Sequence, residues 1–452
     1  MTALPDRVHL VGMGGEGMAA LAQLLLEAGI EVSGSDLRDS PRLARLATAG
    51  ATTHLGHHPD HLDGGTGAVV FSSAIPRDNP ELAAARARGI PVRPRLQALS
   101  DLLRGRPLVA VAGTHGKTTT TTWLSHLVEA VTDQGGHYVG AEIPGRPSAK
   151  LGTGPFVMEV DESDGLFTCL SPEIAVITNV DADHLATYGR YGRLWRAFAH
   201  FVRRAGRVAL GVDDPGARAL AAERPDALTF GLDPRAELSV RGIRFCRSRS
   251  DFEVLFRGKT IGEVPLLAPG AHNVLNALAA LAGGVLLGLP LRELCRALEE
   301  VPRPRRRLEV LEENGYLVVD DYAHHPRELA AGLAALRHGW PERRIVAIVQ
   351  PHRYSRTARH ARAFGQVLAR ADRAVVTEIY PAFESPIPGV SGAQVAEAAK
   401  AAKGTAIYKS SLAEAMEAAQ GLIAPGDVVA CFGAGDVWKL AREMARGLLS
   451  GA

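Results

Sequence analysis

Residues 109–119 have the sequence Val-Ala-Val-Ala-Gly-Thr-His-Gly-Lys-Thr-Thr, an apolar run that leads into a glycine-rich turn followed by Lys117 and Thr118. Apolar residues then recur at helical spacing over residues 123–128, which predicts a helix after the turn. Such a strand, turn and helix direct backbone N–H groups and the positive end of the helix dipole at a phosphate chain. Lys117 would reach the terminal phosphates, and the Thr118 hydroxyl would bind Mg2+. The turn is a shortened phosphate loop, since Val111 stands where the general pattern has a glycine, and it predicts that the chain binds ATP.

Length and composition place the chain among multidomain enzymes. Its 452 residues are enough for two to four domains with substantial cores. With 51 basic and 49 acidic residues, the charge balance gives no indication of a nucleic-acid or membrane-surface partner. The four cysteines lack close spacing, which predicts reduced thiols and a cytoplasmic location. The apolar stretch 274–291 contains Asn276 and Pro290, and this predicts a buried helix with a turn rather than a membrane span.

Strand-like and helix-like segments alternate in three successive blocks, a pattern that predicts parallel sheets with helices on both faces. We predict domains at residues 1–104, 105–302 and 303–452, with hinge-like proline-rich segments between them. Residues 237–264 are predicted to add short strands with turns to the second block. The main predicted strands are 8–11, 30–33, 68–71, 156–160, 174–180, 316–319, 345–349, 374–379 and 428–432.

The first block has a glycine cluster directly after its first strand. Gly12, Gly14 and Gly17, with Asp36 after the next strand, match the dinucleotide fingerprint. Any nucleotide diphosphate would satisfy this pattern, because it requires only a close backbone approach and an acceptor for ribose or base hydrogen bonds. A plain tight turn with Asp36 as a cap is the alternative interpretation.

Polar clusters follow two buried strands of the second block. Glu159 and residues 161–164 follow one strand, and Asp181, Asp183 and His184 follow the next. Next to bound phosphates, carboxylates of this kind favour Mg2+, although either cluster alone would be interpreted as a solvated loop.

Asn273, at the start of an apolar segment, has two open interpretations. It could be a helix N-cap, or it could lie at an adenine edge.

The third block has two unusual strings after its strands, at residues 320–326 and 350–356. Three histidines lie in these strings together with Arg353 and Arg356, and Arg356 is predicted to begin a helix. Arginines can bind a carboxylate or phosphate through two parallel hydrogen bonds, so the mixture favours an anionic ligand over a metal. An ATP site combined with carboxylate recognition predicts ligase chemistry, in which a carboxylate is activated as an acyl phosphate and then attacked by an amine.

Together these strings resemble the Mur ligases, which build the peptide stem of bacterial peptidoglycan. They are most similar to the member that attaches L-alanine to UDP-N-acetylmuramate. The matching strings span nearly the whole chain: GMGGEGM at 12, SSAIP at 72, GTHGKTTTT at 113, DESD at 161, NVDADH at 179, HNVLNA at 272, DDYAHHP at 320, QPHRYSRT at 350 and GAGD at 433. Ala186, Leu308 and Phe383 depart from the family pattern.

The resemblance implies three consecutive α/β domains with mostly parallel sheets. The front domain would be Rossmann-like, the central one would resemble phosphate-loop ATPases, and the rear one would again be Rossmann-like. UDP-N-acetylmuramate would be bound in the front domain by Gly12, Met13, Gly14, Gly15, Gly17, Met18, Asp36, Ser72 and Ser73.

The resemblance also implies sites for ATP, a metal and the amino acid. ATP would contact Gly113, Thr114, His115, Gly116, Lys117, Thr118, Thr119, Asn273, Asn276, Arg307 and Asp321. Mg2+, or Mn2+ in its place, would be held by Thr118, Glu159 and His184, with Glu162 as the second choice of carboxylate. Alanine and the acyl phosphate would be surrounded by Tyr322, His324, His352, Arg353 and Arg356. The implied catalytic residues are Lys117, His184, His324, Arg353 and Arg356.

Three alternatives stay open at this point. A sister ligase that attaches recycled peptides to UDP-N-acetylmuramate would share most of the strings. A nicotinamide-dependent dehydrogenase would explain the first glycine cluster but not the loop around Lys117. A non-catalytic nucleotide-binding regulator would leave the polar strings after the strands without a role.

Overall fold

Three mostly parallel β-sheets follow one another along the chain, as the alternation of strands and helices predicts. The computed structural model describes residues 4–312, 315–382 and 384–449, so Phe383 lies outside the described residues. The chain folds into two compact units. The first contains the chain up to Arg241 with Glu253–Val264 and Leu275–Pro302, and the second contains Gly242–Phe252, Pro265–Val274 and the chain from Arg303 onward. The three domain boundaries stay a prediction.

The first sheet has the strand order β3-β2-β1-β4-β5, and all of its neighbouring strands are parallel. This order places the carboxyl ends of β1 and β4 side by side, where the direction of strand progression reverses and ligands bind in such sheets. Its strands are β1 (Arg7–Val11), β2 (Glu31–Asp36), β3 (Thr52–Leu55), β4 (Ala68–Phe71) and β5 (Val92–Pro94). Its helices are α1 (Glu16–Glu27), α2 (Pro41–Thr48), α3 (Pro80–Ala87) and α4 (Arg95–Leu102).

The second sheet has the order β15-β14-β13-β12-β11-β10-β6-β9-β7-β8 and is parallel from β9 to β12. Its strands are β6 (Leu108–Ala112), β7 (Gly136–Tyr138), β8 (Ala149–Lys150), β9 (Phe156–Glu159), β10 (Ile174–Ile177), β11 (Arg207–Gly211), β12 (Leu228–Phe230), β13 (Leu238–Cys246), β14 (Arg249–Phe256) and β15 (Lys259–Leu266). Its helices are α5 (Lys117–Thr132), α6 (Leu185–Tyr188), α7 (Tyr191–Arg204), α8 (Pro215–Ala219), α9 (Ala271–Leu286) and α10 (Leu291–Ala297).

The third sheet has the order β16-β17-β21-β18-β19-β20, and only its β16–β17 pair is antiparallel. Its strands are β16 (Glu309–Glu312), β17 (Leu317–Asp321), β18 (Ile345–Val349), β19 (Arg373–Val376), β20 (Ala406–Tyr408) and β21 (Val428–Phe432). Its helices are α11 (Pro326–Gly339), α12 (Tyr354–Leu368), α13 (Ala393–Ala401), α14 (Leu412–Gln420) and α15 (Trp438–Leu449).

The central strands are fully buried because helices cover both faces of a parallel sheet, which explains their continuous apolar sequences. Every residue of β10, β18 and β21 is buried. The predicted strand 174–180 is too long, because the chain leaves β10 after Ile177 and Thr178 and Asn179 bind the phosphate loop instead. The predicted strand 316–319 is too short, because Asp320 and Asp321 remain in register with β21.

The apolar stretch 274–291 forms most of α9 and the turn before α10, as predicted. Within the described part of the chain, none of the helices combines the length and the apolar character needed to cross a membrane.

Candidate active site

The turn between β6 and α5 is held by side chains that follow β10. The His115 N–H donates to Asn179 Oδ1 at 2.8 Å, and Asn179 Nδ2 donates to His115 O at 2.8 Å. Gly113 and Gly116 have φ angles of 138° and 83°, which side chains disfavour. A Cβ at Gly113 would also lie 2.2 Å from Thr178 Oγ1. The phosphate loop is therefore shaped by the neighbouring strand, and Asn179 is a supporting residue that the sequence strings contained but that was not assigned a role.

Lys117 lies inside this turn. Its Nζ donates to Gly113 O at 2.6 Å and to Thr114 O at 3.2 Å, and it lies 2.9 Å from Glu162 Oε2. Glu162 is fully buried, so this ion pair is shielded from water. Burial opposes the charge of Lys117, but the carboxylates of Glu162 and Asp161 outweigh it and raise the pKa of Lys117. The ammonium group is thus kept charged at the place where the loop would receive phosphates.

The predicted metal ligands lie at the same end of the sheet. Thr118 Oγ1 donates to Glu159 Oε1 at 2.8 Å, and the other Glu159 oxygen accepts the Gly140 N–H at 2.8 Å. His184 Nε2 lies 3.5 Å from Glu162 Oε1, the second-choice carboxylate. A hydroxyl and two carboxylates form an oxygen-rich donor set of the kind that Mg2+ prefers. The residues fit the metal, and their role as its ligands stays a prediction.

Asn276 packs against the phosphate loop from α9. Its Oδ1 lies 3.4 Å from Thr120 Oγ1, and a Cβ added to Gly116 would lie 2.3 Å from the same oxygen. The close approach means that Gly116 is required both for its positive φ angle and for the space that Asn276 occupies.

We expect Gly116→Ala to lower the free energy of unfolding by roughly 2–4 kcal/mol and to weaken ATP binding, since backbone strain and overlap with Asn276 add together. Thermal unfolding with and without ATP would measure both effects. Gly145→Ala is the matched control, because Gly145 has φ 73° and no atom within 4 Å of an added Cβ. Gly145→Ala should lower the free energy of unfolding by only about 1 kcal/mol, the cost of the backbone strain alone. Equal losses of stability in the two variants would contradict the role of Asn276.

Asn273 and His272 open α9 and belong to the second unit. The helix begins at Ala271, so Asn273 lies inside its first turn and the simple N-cap interpretation is wrong. Asn273 Nδ2 donates to Pro269 O at 2.8 Å. His272 is partly exposed, and the loss of hydration around its ring together with the nearby Arg307 lowers its pKa to about 4.

The glycine turn of the front domain is tied to β2. The N–H groups of Gly12 and Met13 donate to Ser35 O at 2.8 and 2.9 Å, and the Gly14 N–H donates to Asp36 Oδ2 at 2.9 Å. A Cβ at Gly14 would lie 2.9 Å from the same Asp36 oxygen. Asp36 therefore fixes the shape of the turn, in addition to any contact that it makes with a substrate.

The other front-domain residues that were predicted to bind the substrate differ in how much of each residue is accessible to a ligand. The side chains of Met13 and Met18 belong to the hydrophobic core, which leaves only their backbone for a ligand. The Ser72 hydroxyl accepts the Ala74 N–H at 3.3 Å. Ser73 lines a cavity that also contains Glu159.

A buried cluster around Glu81 lies behind this turn and was missed by the sequence reasoning. Ser35 Oγ donates to Glu81 Oε2 at 2.6 Å, and His57 Nδ1 lies 3.2 Å from that oxygen. The other oxygen has His61 Nδ1 at 2.7 Å and His9 Nε2 at 3.5 Å. Burial alone would raise the pKa of Glu81, but the nearby His9 ring and the hydrogen bonds from Ser35 and His61 lower it to about 2. The only sign of this cluster in the sequence is the group of histidines around residue 57. No local pattern in that segment identifies their partner.

We expect Glu81→Gln to destabilise the protein near pH 7 by roughly 2 kcal/mol, the value of hydrogen bonds to a charged group. Because the folded-state pKa lies below the unfolded value, this stability is present above about pH 4.3 and is lost as the pH falls toward 2. Thermal unfolding of both proteins between pH 3 and 7 would test this. Asp60→Asn, in an exposed position of the same loop, should have little effect. A pH-independent difference would contradict the ionised state of Glu81.

Several side chains of the predicted amino-acid site in the third block have aromatic or imidazole rings that lie close together, and we call this group the ring cluster. The Tyr322 and His324 ring centroids lie 5.4 Å apart, and those of His324 and His352 lie 5.6 Å apart. Arg356 Nη1 lies 3.2 Å from His352 Nδ1. Tyr380 stacks on His352 at 5.7 Å and was not predicted, because it follows a different strand. The structure thus brings four predicted residues together, and their contact with alanine stays a prediction.

Arg353 has the unusual φ angle of 68° and an exposed side chain. Its N–H donates to Tyr380 O at 2.9 Å, which holds this strained residue in place. The helix begins at Tyr354, with Arg353 as its N-cap, so the prediction that Arg356 begins it is wrong by two residues. The reason is the turn at Arg353, which the sequence pattern does not reveal.

Asp321 is almost fully buried at the end of β17. Its two oxygens accept the N–H groups of Ala323 at 2.7 Å and Leu308 at 2.9 Å. Burial raises its pKa to about 7, although Arg307 opposes the shift. The Arg307 guanidinium lies over the Tyr322 ring at 5.1 Å. Asp321 and Arg307 are therefore close to the ring cluster within the same unit, and their contacts with ATP stay a prediction.

Arg306 is a further residue that the sequence reasoning did not single out. Its Nε lies 3.2 Å from Asp320 Oδ2, and its guanidinium donates to Gly433 O. Burial raises the pKa of Asp320 to about 6, and the charge of Arg306 opposes the shift. This contact joins the segment before β16 to the GAGD string.

Comparisons with known proteins agree with this geometry. The Mur ligase family catalytic-domain model matches residues 7–107, the Mur ligase middle-domain model matches 111–284, and the Mur ligase glutamate ligase domain model matches 306–435. The three matches follow the order of the three sheets and include the glycine turn, the phosphate loop and the ring cluster.

Relatives with assigned names match nearly the whole chain. The UDP-N-acetylmuramate–L-alanine ligase of Solidesulfovibrio magneticus is 43% identical over 446 residues, which cover 96% of both chains. The Xylella fastidiosa enzyme of the same name is 43% identical and covers 97% of this chain and 95% of its own. Among solved structures, the UDP-N-acetylmuramate–alanine ligase of Thermotoga maritima has a TM-score of 0.84 at 30% identity, with 99% of this chain and 100% of that chain covered. A murein peptide ligase of Psychrobacter arcticus has a TM-score of 0.70 at 25% identity, with 99% of each chain covered. The chain belongs to the Mur ligase family.

Proposed function

We propose that the protein joins L-alanine to the lactyl carboxylate of UDP-N-acetylmuramate and converts ATP to ADP and phosphate. The product would be UDP-N-acetylmuramoyl-L-alanine, a peptidoglycan precursor. The observation that carries the proposal is 43% identity, over almost the full length, to several enzymes with this activity in their names. Reaction in the bacterial cytoplasm is part of the proposal.

In the first step a lactyl carboxylate oxygen attacks the γ-phosphorus of ATP. The bond from that phosphorus to the bridging oxygen breaks, which gives the acyl phosphate and ADP. Lys117 is suited to offset the developing charge because it is largely shielded from water, cationic and held at the turn. Mg2+ bound by Thr118, Glu159 and His184 would supply further charge stabilisation.

In the second step the uncharged amine of alanine attacks the acyl carbon, and phosphate leaves. Arg353 and Arg356 are proposed to bind the alanine carboxylate, since the methyl side chain offers little other binding energy. A histidine of the ring cluster, His324, is proposed to accept the ammonium proton. An unchanged pH–rate profile in His324→Ala would count against that role.

The other candidate functions are less well supported. The dehydrogenase and regulator hypotheses are set aside, because the chain belongs to a ligase family. The peptide-recycling ligase stays a competitor, but its solved representative has lower structural similarity and identity than the alanine-adding enzyme.

The test is phosphate release from ATP and Mg2+ with UDP-N-acetylmuramate, with and without L-alanine. Release that requires both substrates would support the proposal, and Lys117→Ala should abolish it. Release with a stem tripeptide in place of alanine would indicate the recycling ligase, and no release with either acceptor would contradict both.

A further inference from the structure

Side chains at the carboxyl ends of three neighbouring strands hold one another in sequence across the second sheet. β6, β10 and β11 are adjacent and parallel, so the segments that follow them lie side by side. The segment after β10 contacts the phosphate loop on one side through Asn179 and Asp181. On its other side it contacts Asp214, which follows β11. Val180 lies between these two sets of contacts.

Both backbone polar groups of Val180 are bound by side chains from outside β10. The Val180 N–H donates to Asp214 Oδ1 at 3.0 Å, and Val180 O accepts the Tyr191 hydroxyl at 3.2 Å. Tyr191 is the first residue of α7. Asp214 is the N-cap of α8, and the same Asp214 oxygen accepts the Ala217 N–H at 2.9 Å. We call Asp214 and Tyr191, with their two contacts to this peptide backbone, the Val180 clamp.

Gly216 leaves the space in which the Val180 clamp closes. A Cβ added to Gly216 would lie 2.3 Å from Val180 O and 2.4 Å from Tyr191 Oη. Gly216 lies within α8 and does not have a positive φ angle. A glycine is therefore required here by the space that the clamp occupies and not by the backbone conformation.

The residues on both sides of Val180 serve the predicted ATP and metal sites. Asn179 holds His115 of the phosphate loop through two hydrogen bonds of 2.8 Å. Asp181 Oδ2 lies 3.1 Å from His115 Nε2. Three residues after Asp181 comes His184, a predicted metal ligand. A shift of the Val180 backbone would therefore move the phosphate loop and a metal ligand together.

We infer that the Val180 clamp positions the phosphate loop and His184 for ATP and Mg2+, and that Asp214 and Tyr191 are positioning residues of the reaction. This inference rests on the proposed function, which assigns ATP and the metal to these segments. Each of the two side chains acts through the backbone of Val180 and not on a ligand. Groups that orient metal ligands from behind change metal affinity or activity roughly 10- to 100-fold when they are removed.

The test measures binding in addition to turnover. Calorimetry would measure binding of ADP, and electron paramagnetic resonance would measure binding of Mn2+ with a non-hydrolysable ATP analogue. Both would be recorded at a temperature at which circular dichroism shows that each variant is folded.

We expect Asp214→Ala to weaken both kinds of binding at least roughly 10-fold. Tyr191→Phe should weaken them roughly 2- to 10-fold, which corresponds to the loss of one neutral hydrogen bond. Asp214→Asn should bind almost as wild type, because its amide oxygen can accept the same two N–H groups.

Ser411→Ala is the matched control for the loss of a helix cap. Ser411 caps α14 in the third sheet, where its hydroxyl accepts the Glu414 N–H at 3.2 Å. This variant should lower the melting temperature and leave both binding constants unchanged. If Asp214→Ala does not fold, Tyr191→Phe decides the question, because it leaves the cap of α8 in place.

Two outcomes would overturn the inference. If the clamp variants lowered the melting temperature but bound ADP and Mn2+ as wild type does, the clamp would have only a structural role. If ADP binding weakened and Mn2+ binding did not, the role toward His184 would be wrong. Failure of the proposed function gives a different result, in which the wild-type protein itself would bind no ADP and release no phosphate.

Discussion

Lys117→Ala is expected to slow phosphate release by at least about 10³-fold, because positioned charge is the main contribution of a protein to phosphoryl transfer. Lys117 is the residue of the phosphate loop whose positive charge is paired with a buried carboxylate, and its Nζ already contacts the carbonyl oxygens that line the turn. Steady-state phosphate release at saturating UDP-N-acetylmuramate and alanine would measure the effect.

The same substitution should also destabilise the protein, because Glu162 would remain buried without its partner. Removing one member of a buried ion pair typically costs about 3–5 kcal/mol. The double variant Lys117→Ala, Glu162→Gln removes the isolated charge and should recover most of the lost thermal stability. It should remain inactive, which separates the catalytic role of Lys117 from its structural one. A double variant with restored activity would show that Lys117 serves only to neutralise Glu162.

Glu159→Gln is expected to lower the turnover rate at least about 100-fold and to raise the Mg2+ concentration needed for half-maximal rate. Glu159 shares a hydrogen bond with Thr118, so a metal ion bound to this hydroxyl would be in reach of the carboxylate. The Gln side chain keeps the shape of Glu and one oxygen acceptor, but it lacks the negative charge that binding of a divalent cation requires.

Glu162→Gln is the matched control, since Glu162 contacts Lys117 and His184 from the same segment. Its effect should be on the rate, through Lys117, with an almost unchanged Mg2+ requirement. Binding of Mn2+ with a non-hydrolysable ATP analogue, followed by electron paramagnetic resonance, gives a readout that does not depend on activity. If Glu162→Gln and not Glu159→Gln weakened Mn2+ binding, Glu162 would be the metal ligand.

Much of the fold could be predicted because its signals are local. Buried parallel strands are continuous apolar runs, and the runs at 345–349 and 428–432 match β18 and β21. The predicted ends of the strands were less accurate where tertiary contacts lengthen or interrupt a strand. Asp320 and Asp321 stay in register with β21 despite their charge, and Thr178 leaves β10 to bind the phosphate loop.

The candidate site was predictable where its residues are close in sequence or follow neighbouring strands. Thr118 and Glu159 were expected together and are 2.8 Å apart. Tyr380 and the partners of Glu81 could not be predicted in this way. Each reaches its contacts from an element whose own sequence has no functional pattern, so only the packing of that element identifies it.

The sequence by itself determined the three α/β blocks, the phosphate loop and the strings that identify the family, because these depend on neighbouring residues and on hydrophobic spacing. The tertiary structure alone decided that Lys117 pairs with a buried Glu162 and that a histidine cluster surrounds Glu81. The physical reason is that burial and charge pairing depend on distances between residues far apart in the chain. Those distances are set by sheet order and helix packing, which no short stretch of sequence contains.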